Sequence, residues 1–322
     1  MTRLSNDSVR LVPRTEFDGP ALELDFPGLR IGVAEYDEGP TGCTVFHFPE
    51  GAAAATDVRG GSPGTTGGFE WVSAICLAGG SLYGLEAATG VAAELFAARD
   101  YAVGWTDIAT VSGAIIFDYG RRETSIYPDK ELGRAAFRAA REGRFPLGQR
   151  GAGRSAGVGK TFGLDYGEPG GQGAAYRRLG ETLIAVFTVV NAVGAVVDRE
   201  GHVVRGHLDP ADGTRRALVE WVEERIAAGE PVHPLAPPGN TTLTVVATNQ
   251  TLDRRVLQQL GRQVHASMAR AIQPFQALVD GDVLYAVSTN AVDDPALDSL
   301  GLGVVASELA WDAVLRAVGV EP

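Results

Sequence analysis

Short runs of β-branched and apolar residues alternate along the chain with longer stretches whose apolar residues recur every three or four positions. The first pattern predicts strands and the second predicts helices. The predicted strands are residues 29–36, 43–48, 114–118, 183–190, 195–198, 242–248 and 283–289. The predicted helices are residues 84–99, 132–142 and 214–228, one with Leu257, Leu260, Val264 and Met268 on one face, and a last one through Trp311 and Leu315. No internal repeat interrupts this order, so we expect one core built from both kinds of element.

Three segments depart from this pattern. Residues 53–68 and 148–173 are rich in glycine, and we expect the first to be an irregular loop over a site or at the surface. The segment "GEPVHPLAPPG" (residues 229–239) is rich in proline and has the composition of a linker. Strands and helices on both sides of it are predicted to share the core.

Composition limits the kind of protein. The chain has 322 residues, 45% hydrophobic and 21% charged, which is typical of one large globular domain or two modest ones. Its formal net charge of −12 argues against a nucleic acid or an anionic membrane as partner. Small molecules are therefore the expected ligands.

Compartment and metal chemistry follow from a few residue types. Residues 1–38 have no apolar run after a basic start, and no later stretch gives eighteen uncharged apolar residues, so we expect a cytoplasmic protein. Cys43 and Cys76 are the two cysteines, too few for a disulfide scaffold or a zinc cluster, and we expect buried reduced thiols. None of the five histidines has zinc spacing, and His265 is expected on the flank of its helix. No metal or cofactor is predicted.

Two motifs in the second glycine-rich stretch imitate known sites. "GRSAG" (residues 153–157) matches a nucleophile elbow, but no buried strand enters it, so Ser155 is predicted to be a loop serine. "GRSAGVGKT" (residues 153–161) has five residues between Gly153 and Gly159 where a phosphate-binding loop requires four. Lys160 is either a solvated lysine or one whose ammonium is brought close to a backbone.

Polar residues at strand ends carry a stronger signal. Asp280 and Asp282 stand two apart at the start of a predicted strand, where both carboxylates can face one side. Such a pair can share a proton or orient an amine, or it can be a solvated Asp-Gly turn. Asn191 lies between apolar runs and is either a satisfied turn residue or a donor kept for a ligand oxygen.

Thr241 follows Asn240 at the start of a core strand. Cleavage between them would give Thr241 a hydroxyl and a free amine on adjacent carbons, which is a complete nucleophile and base. The α-amine has an ordinary pKa of about 7.7 to 8.0, so it can accept the hydroxyl proton near neutral pH. The same hydroxyl can make the cut by attacking the Asn240 carbonyl. A loop threonine that caps a strand fits the local sequence equally well.

Five motifs together resemble a known family. The motifs "AICLAGGSLYGLEAATGV", "GQGAAYRRLG", "VVNAVGAVVD", "PGNTTLTVVATN" and "DGDVLYAVST" occur in order from about Phe26 onward. They are similar to those of the self-cleaving hydrolases that include the L-aminopeptidase/D-esterases, the β-peptidyl aminopeptidases and the nylon-oligomer endohydrolases. The resemblance implies an α+β fold, a four-layer αββα sandwich like that of N-terminal-nucleophile hydrolases. It also implies one domain over residues 1–322, cleaved into residues 1–240 and 241–322, and tetramers of the cleaved pair.

The same resemblance assigns roles to residues. Thr241 matches the nucleophile, Asn191 the oxyanion-stabilising asparagine and Lys160 the active-site lysine. Asp280 and Asp282 match the acidic pair. A threonine nucleophile and Asp-Gly-Asp resemble the nylon-oligomer branch, because the aminopeptidase branch generally has serine and Ser-x-Glu. Phe117, assigned to substrate binding, stands where the family usually has tyrosine, so a hydroxyl that could hold a substrate or an oxyanion is missing.

The sequence thus predicts a self-processing amide hydrolase with no cofactor, acting on linear 6-aminohexanoate (nylon) oligomers. An aminopeptidase that acts on small peptides or β-peptides is the alternative within the family. An uncut, noncatalytic small-molecule-binding protein is the alternative of another class.

Overall fold

The structure is a computed structural model that describes residues 3–230, 232, 239–293 and 296–322. In this part of the chain the strands are β1 (Pro13–Arg14), β2 (Ala21–Glu23), β3 (Arg30–Tyr36), β4 (Thr41–Val58), β5 (Thr65–Thr66), β6 (Trp71–Ala78), β7 (Val111–Ile115), β8 (Arg144–Pro146), β9 (Gly157–Val158), β10 (Glu168–Pro169), β11 (Gly171–Leu179), β12 (Thr182–Asn191), β13 (Ala195–Val197), β14 (Val203–Arg205), β15 (Thr241–Gln250), β16 (Ile272–Gln273) and β17 (Val283–Val292). The α-helices there are α1 (Glu86–Ala98), α2 (Lys130–Arg138), α3 (Leu218–Ala227), α4 (Arg254–Ser267) and α5 (Ser299–Ala317).

One long strand joins the two halves of the main sheet. The strand order is β11-β12-β15-β17-β4-β6-β7-β5, and β3 pairs with the first half of β4. The first half of β4 also pairs with β6, whereas its second half pairs with β17. The register against β6 shifts between His47 and Ala52, where β4 turns from one half of the sheet to the other. Most pairs are antiparallel, but β15 and β17 run parallel.

Three apolar clusters separate four layers. Helices α1 and α2 pack on the half of the sheet that contains β3 and β6, and α4 and α5 pack on the half that contains β12 and β17. Between the two halves lies a cluster rich in aromatic rings, in which Phe46 of one half contacts Phe187 of the other with ring centroids 5.0 Å apart. Phe145 packs into the same interface, with its ring tilted against that of Phe187 and the centroids 5.1 Å apart. The architecture is the predicted αββα sandwich.

Most predicted elements are confirmed with shifted ends. Within the described residues two long strands, β6 and β11, were missed, as were eight strands of two or three residues. Strand β6 is a continuous apolar run, which cannot be told from a helix by periodicity. Strand β11 begins with glycines and alanines that favour no strand, but a side chain at Gly173 would lie 2.0 Å from the Ala313 carbonyl of α5. Its small residues therefore allow the helix to approach the strand closely.

One prediction about the loops was wrong. Residues 53–68 were expected to be an irregular loop, but β4 continues through them as far as Val58. Ala53 and Ala55 of this strand pack in the cluster under α4, whereas Ala52 and Ala54 face the cluster between the two halves of the sheet. The rest of the segment does cover a site, as described below. The predicted linker lies largely outside the described residues, since residues 231 and 233–238 are not part of them.

Candidate active site

The peptide bond between Asn240 and Thr241 lies at the start of a central strand. Both residues are buried, with Asn240 2% and Thr241 3% exposed. The Thr241 hydroxyl donates to the Asn240 carbonyl oxygen at 2.5 Å. The same oxygen accepts a hydrogen bond from the backbone N–H of Gly281 at 2.7 Å. The hydroxyl therefore lies beside the carbonyl group that precedes it.

Three strand ends meet at this bond. Thr241 begins β15 and lies opposite Asn191, the last residue of β12, in the antiparallel register. On the other side, Asn240 forms an isolated parallel bridge with Asp280, just before β17 begins. The backbone polar groups of a buried strand are normally paired with those of its neighbouring strands. The side chains at these three strand ends can therefore face the same spot. The sheet topology thus brings together residues from three distant parts of the sequence.

Asn191 and Lys160 form one hydrogen-bonded unit. Lys160 Nζ donates to the backbone oxygen of Asn191 at 3.1 Å and to its Oδ1 at 3.0 Å. The backbone N–H of Gly157 also donates to Oδ1, at 3.0 Å. Because Oδ1 accepts two donors, the amide orientation is fixed, and Nδ2 donates to the carbonyls of Phe117 at 3.1 Å and Gly239 at 3.4 Å. Lys160 is only 6% exposed, so the solvated alternative for this lysine is wrong.

The acidic pair is buried beside the same bond. Asp280 is 1% and Asp282 0% exposed, which excludes a solvated turn. Four backbone amides hold the two carboxyl groups. Val193 and Ala277 donate to Asp280 at 3.2 and 3.1 Å. Thr242 and Gln276 donate to Asp282 at 2.6 and 3.1 Å.

Burial makes both carboxyl groups difficult to ionise. It raises the pKa of Asp280, although the two backbone amides and the charge of Lys160 act in the opposite direction. Burial and the neighbouring charge of Asp280 raise the pKa of Asp282 to about 8. Burial and the charge of Asp280 therefore favour a proton on Asp282 near neutral pH. The site therefore contains a group that can give or take a proton at that pH.

Phe117 forms one wall of the site and of an adjoining cavity. A side chain at Gly239, whose φ is +115°, would come within 2.7 Å of the Phe117 ring. The ring also lines an open cavity of about 510 Å³. The other lining residues are Arg3, Tyr83, Tyr119, Ser125 and Tyr127. This cavity is mostly aromatic and borders the backbone just before the Asn240–Thr241 bond.

The structure brings together all the residues that the sequence singled out for the site. Ser155 is a loop serine, as predicted, and donates to the Pro40 carbonyl at 2.5 Å. Cys43 and Cys76 are buried free thiols, also as predicted. His265 was expected on the helix flank, but it is buried and shares a 2.8 Å hydrogen bond with Asp57. It packs inward because its ring meets the end of β4 beneath the helix.

Sequence reasoning missed the backbone donors. The N–H groups of Gly157 and Gly281 contact the site, as do loop residues 59–62, where Arg59 and Ser62 donate to the carbonyls of Asp282 and Asp280 at 2.8 and 2.9 Å. A glycine between the two aspartates was the available signal for one of them. Backbone amides have no residue-specific signature, so the others could not be found from the sequence.

Comparison with known proteins identifies the class. Burkholderia sp. beta-aminopeptidase matches with a TM-score of 0.64 at 17% identity, over 93% of this chain and 88% of that one. The L-aminopeptidase D-Ala-esterase/amidase from Ochrobactrum anthropi, described as a variant of the Ntn hydrolase fold, matches with a TM-score of 0.62 at 15% identity, over 94% and 88%. The fold is that of the Ntn hydrolases.

The family follows from sequence. The profile of peptidase family S58 matches residues 24–319. The chain is 46% identical to the 6-aminohexanoate-oligomer endohydrolases of Agromyces sp. (strain KY5R) and Paenarthrobacter ureafaciens, over 97% of this chain and 90% of each relative. The chain therefore belongs to peptidase family S58, and the resemblance inferred from its motifs is confirmed. It is an amide hydrolase by family.

Two further properties of the described residues bear on the setting. None of the helices in these ranges combines the length and the apolar character needed to cross a bilayer. The same residues include no group of three or more His, Cys, Asp or Glu side chains that could hold a metal ion.

Proposed function

We propose that this chain is a self-processing amide hydrolase that cleaves linear 6-aminohexanoate oligomers internally, with Thr241 as nucleophile. The observation that carries the proposal is the Thr241 hydroxyl, buried and 2.5 Å from the oxygen of the carbonyl it would attack. The chain is one domain, cleaved into residues 1–240 and 241–322. The cleaved pair assembles into tetramers and acts in the cytoplasm on small oligoamides or peptides.

Self-cleavage converts one amide into two chain ends. Thr241 Oγ attacks the Asn240 carbonyl carbon, the C–N bond breaks, and the proton lost by the hydroxyl ends on the Thr241 nitrogen. Water then hydrolyses the Asn240 ester, which gives a carboxylate at residue 240 and restores the Thr241 hydroxyl. The new amine now lies next to the nucleophile on the same residue.

Hydrolysis of substrate repeats this chemistry with a foreign amide. The Thr241 amine accepts the hydroxyl proton as Oγ attacks, and it returns the proton to the leaving amine. Water then hydrolyses the acyl ester on Oγ, which releases the carboxylate product and restores the hydroxyl. Lys160 and Asn191 form the polar wall opposite, where the charge of the ammonium and the fixed amide favour a developing oxyanion. Asp280 and Asp282 orient the new amine and supply a proton reservoir near neutral pH.

The cavity beside Phe117 supports the substrate class. An oligoamide of 6-aminohexanoate is a series of polymethylene segments joined by neutral amides, and aromatic walls bind such segments by excluding water. The relatives with 46% identity are named for the same substrate. Arg3 at the cavity lining can meet the terminal carboxylate of a short oligomer.

An aminopeptidase is the second candidate, and the acidic pair favours it. A buried carboxylate beside the nucleophile can bind the ammonium group of a substrate with a free amino end. Such an enzyme would prefer aminoacyl amides and would release one residue at a time from the amino end. An uncut protein that only binds small molecules is distinguished from both enzymes by its single band on a denaturing gel.

Intact-mass analysis tests the proposal. Wild-type protein should contain chains that end at Asn240 and begin at Thr241, and Thr241→Ala should remain one inactive chain. Thr244→Val is the matched control, because it removes the hydroxyl of another buried threonine of β15, whose partners are Thr188 and Met268 and not the acidic pair. It should still be cleaved. An uncut wild type, or a Thr241→Ala protein cut at this bond, would contradict the proposal.

Product analysis separates the two substrate classes. Linear 6-aminohexanoate oligomers of several lengths should give internal fragments at early times, and blocking their amino ends by acetylation should leave the rate nearly unchanged. Stepwise release from the amino end, with loss of activity on acetylated oligomers, would instead support the aminopeptidase.

A further inference from the structure

The Asn240 carbonyl accepts a second hydrogen bond that the proposed mechanism has not used. The donor is the backbone N–H of Gly281, 2.7 Å away. We propose that this N–H is the oxyanion donor for self-cleavage, and that residue 281 is glycine so that the nucleophile can reach the carbonyl. This inference rests on the proposed function, since it concerns the bond that Thr241 is proposed to break.

The chemistry of the cleavage step requires a donor at this position. When Thr241 Oγ bonds to the Asn240 carbon, the carbonyl π electrons move onto the oxygen, which becomes an oxyanion. A donor 2.7–3.1 Å from that oxygen stabilises it. The Gly281 N–H already lies at this distance before attack. The negative charge therefore develops on an oxygen that already accepts this hydrogen bond, so the donor does not have to move.

The donating amide is itself polarised and fixed. The N–H belongs to the peptide group between Asp280 and Gly281, and the carbonyl of that group accepts a hydrogen bond from Ser62 N at 2.9 Å. A hydrogen bond to a peptide oxygen strengthens the donor on its nitrogen. On either side, the buried carboxyl groups of Asp280 and Asp282 are tied to four other backbone amides. The acidic pair thus also holds this N–H in position.

Steric contacts explain why residue 281 has no side chain. A Cβ there would lie 2.4 Å from the Ser62 oxygen and 2.9 Å from Thr241 Oγ. The first contact is with backbone and cannot be relieved by a rotamer change. A side chain would therefore displace either the segment around residue 281 or the nucleophile, and the hydrogen bond to Asn240 would lengthen.

Asn191 has a different role in the uncut chain. Its Nδ2 donates to the carbonyls of Phe117 and Gly239, so it fixes the backbone just before the cleaved bond. In the precursor, Gly281 therefore binds the oxygen that becomes charged, and Asn191 positions the backbone segment that carries this oxygen.

The direct test replaces one atom. Glycolic acid incorporated at position 281 by nonsense suppression in a cell-free system changes the Asp280–Gly281 amide to an ester, which removes the N–H but keeps the shape. Self-cleavage of the folded precursor, followed by intact mass, should slow by about 10²–10³-fold, as for loss of one oxyanion donor. Circular dichroism checks that the precursor has folded. Cleavage at the wild-type rate would overturn the proposal.

A pair of alanine variants covers the case in which the ester does not fold. Gly281→Ala should slow cleavage at least as much. Gly42→Ala is the matched control, because its Cβ would also lie 2.5 Å from a backbone oxygen, that of Gly151, away from the nucleophile. It should be cleaved at close to the wild-type rate. Equal rates for the two variants would overturn the proposal. If the wild type itself stays uncut, the proposed function fails instead, so the two failures are distinct.

Discussion

Two buried carboxyl sites in this protein differ in whether neighbouring groups compensate the carboxylate charge. Glu168 is 6% exposed and receives two hydrogen bonds from Arg215, both at 2.6 Å, one from Arg205 at 3.2 Å and one from Gly206 N at 2.8 Å. Burial alone would raise its pKa, but the hydrogen bonds from Arg215 and Gly206 outweigh burial, and the pKa is lowered. Glu168 is therefore ionised near neutral pH. Its hydrogen bonds connect β10 to Arg205 at the end of β14 and to the segment that follows.

Asp280 and Asp282 each have two backbone donors, where Glu168 has one, but neither has an arginine. Their hydrogen-bond partners are four neutral N–H groups, and the charge that acts on Asp280 is that of Lys160. Burial raises the pKa of both carboxyl groups, and the charge of Asp280 adds to the rise at Asp282. Hydrogen bonds fix the geometry of both sites, but only in the acidic pair is the carboxylate charge not compensated by an arginine.

This difference distinguishes a structural carboxylate from a reactive one. Two guanidinium groups hold Glu168 in a single protonation state, so it stabilises the fold without responding to pH near neutrality. The acidic pair keeps two protonation states close in free energy, at a cost in stability, beside the bond that is proposed to break. Perturbed carboxyl groups that converge on one buried hydroxyl are a physical reason to assign function there.

The largest effect should come from neutralising the acidic pair. Asp280→Asn and Asp282→Asn each keep the size of the side chain and one acceptor oxygen, but replace the titratable carboxyl group by a neutral amide. We expect each to lower kcat, or the rate of self-cleavage, by at least about a hundredfold, which is about 2.7 kcal/mol of transition-state free energy. Single-turnover kinetics and intact mass measure the two steps separately.

The pH profile separates chemistry from a mere change of shape. In the wild type the rate should follow the titration of the pair, and that limb should disappear from the residual activity of both variants. Variants that process fully and turn over at the wild-type rate would show that the pair is no more than a structural turn, like the site at Glu168.

Neutralising Glu168 should give a smaller effect and a different kind of effect. Glu168→Gln removes a charged acceptor from two arginines, which are about one-third exposed and can recover water. We expect the free energy of unfolding to fall by about 2 kcal/mol, within the range for hydrogen bonds to charged groups. Urea unfolding in the uncleaved Thr241→Ala background measures this loss. Self-cleavage in the otherwise wild-type chain should slow much less than in the acidic-pair variants, and a comparable loss would erase the distinction between the two sites.

Much of the fold could be predicted because the signals are local. The amphipathic spacing of Leu257, Leu260 and Val264 predicted α4, and the β-branched run after Thr241 predicted β15. The two long strands that were missed, β6 and β11, depend on contacts with distant elements. Glycine and alanine in β11 make sense only when α5 lies against them, and sequence periodicity contains no such information.

The site was predictable in its side chains but not in its electrostatics. Thr241, Asn191 and Lys160 could be chosen as polar residues out of pattern, and the family resemblance joined them. The sequence could not show how deeply these side chains are buried. It therefore left open whether Lys160 is solvated and whether the two aspartates form an exposed turn. The glycine between the two aspartates was the available signal for the donor at Gly281. The donor at Gly157 could not be assigned, because every residue except proline offers the same N–H.

The smallest effect per pH unit, and the sharpest contrast, lies in how the free energy of unfolding depends on pH. The raised pKa of Asp282 means that the folded state holds a proton which the unfolded state releases above pH about 3.9. Folded protein therefore binds more protons than unfolded protein between about pH 4 and 8, and the contribution of this group to stability falls as pH rises through that window. The lowered pKa of Glu168 has the opposite sign, because its contribution is present above its unfolded pKa and is lost as pH falls through the folded one.

Urea unfolding of uncleaved Thr241→Ala at several pH values tests both signs. One proton changes the free energy of unfolding by at most about 1.4 kcal/mol per pH unit, and the other titrating groups of the chain add a common background. Subtracting the curve of Thr241→Ala/Asp282→Asn should leave a difference that declines between pH 5 and 8. Subtracting that of Thr241→Ala/Glu168→Gln should leave one that changes below pH 5 and is flat above it. If both differences are flat from pH 5 to 8, Asp282 is already ionised there and the acidic pair has no proton to share at neutral pH.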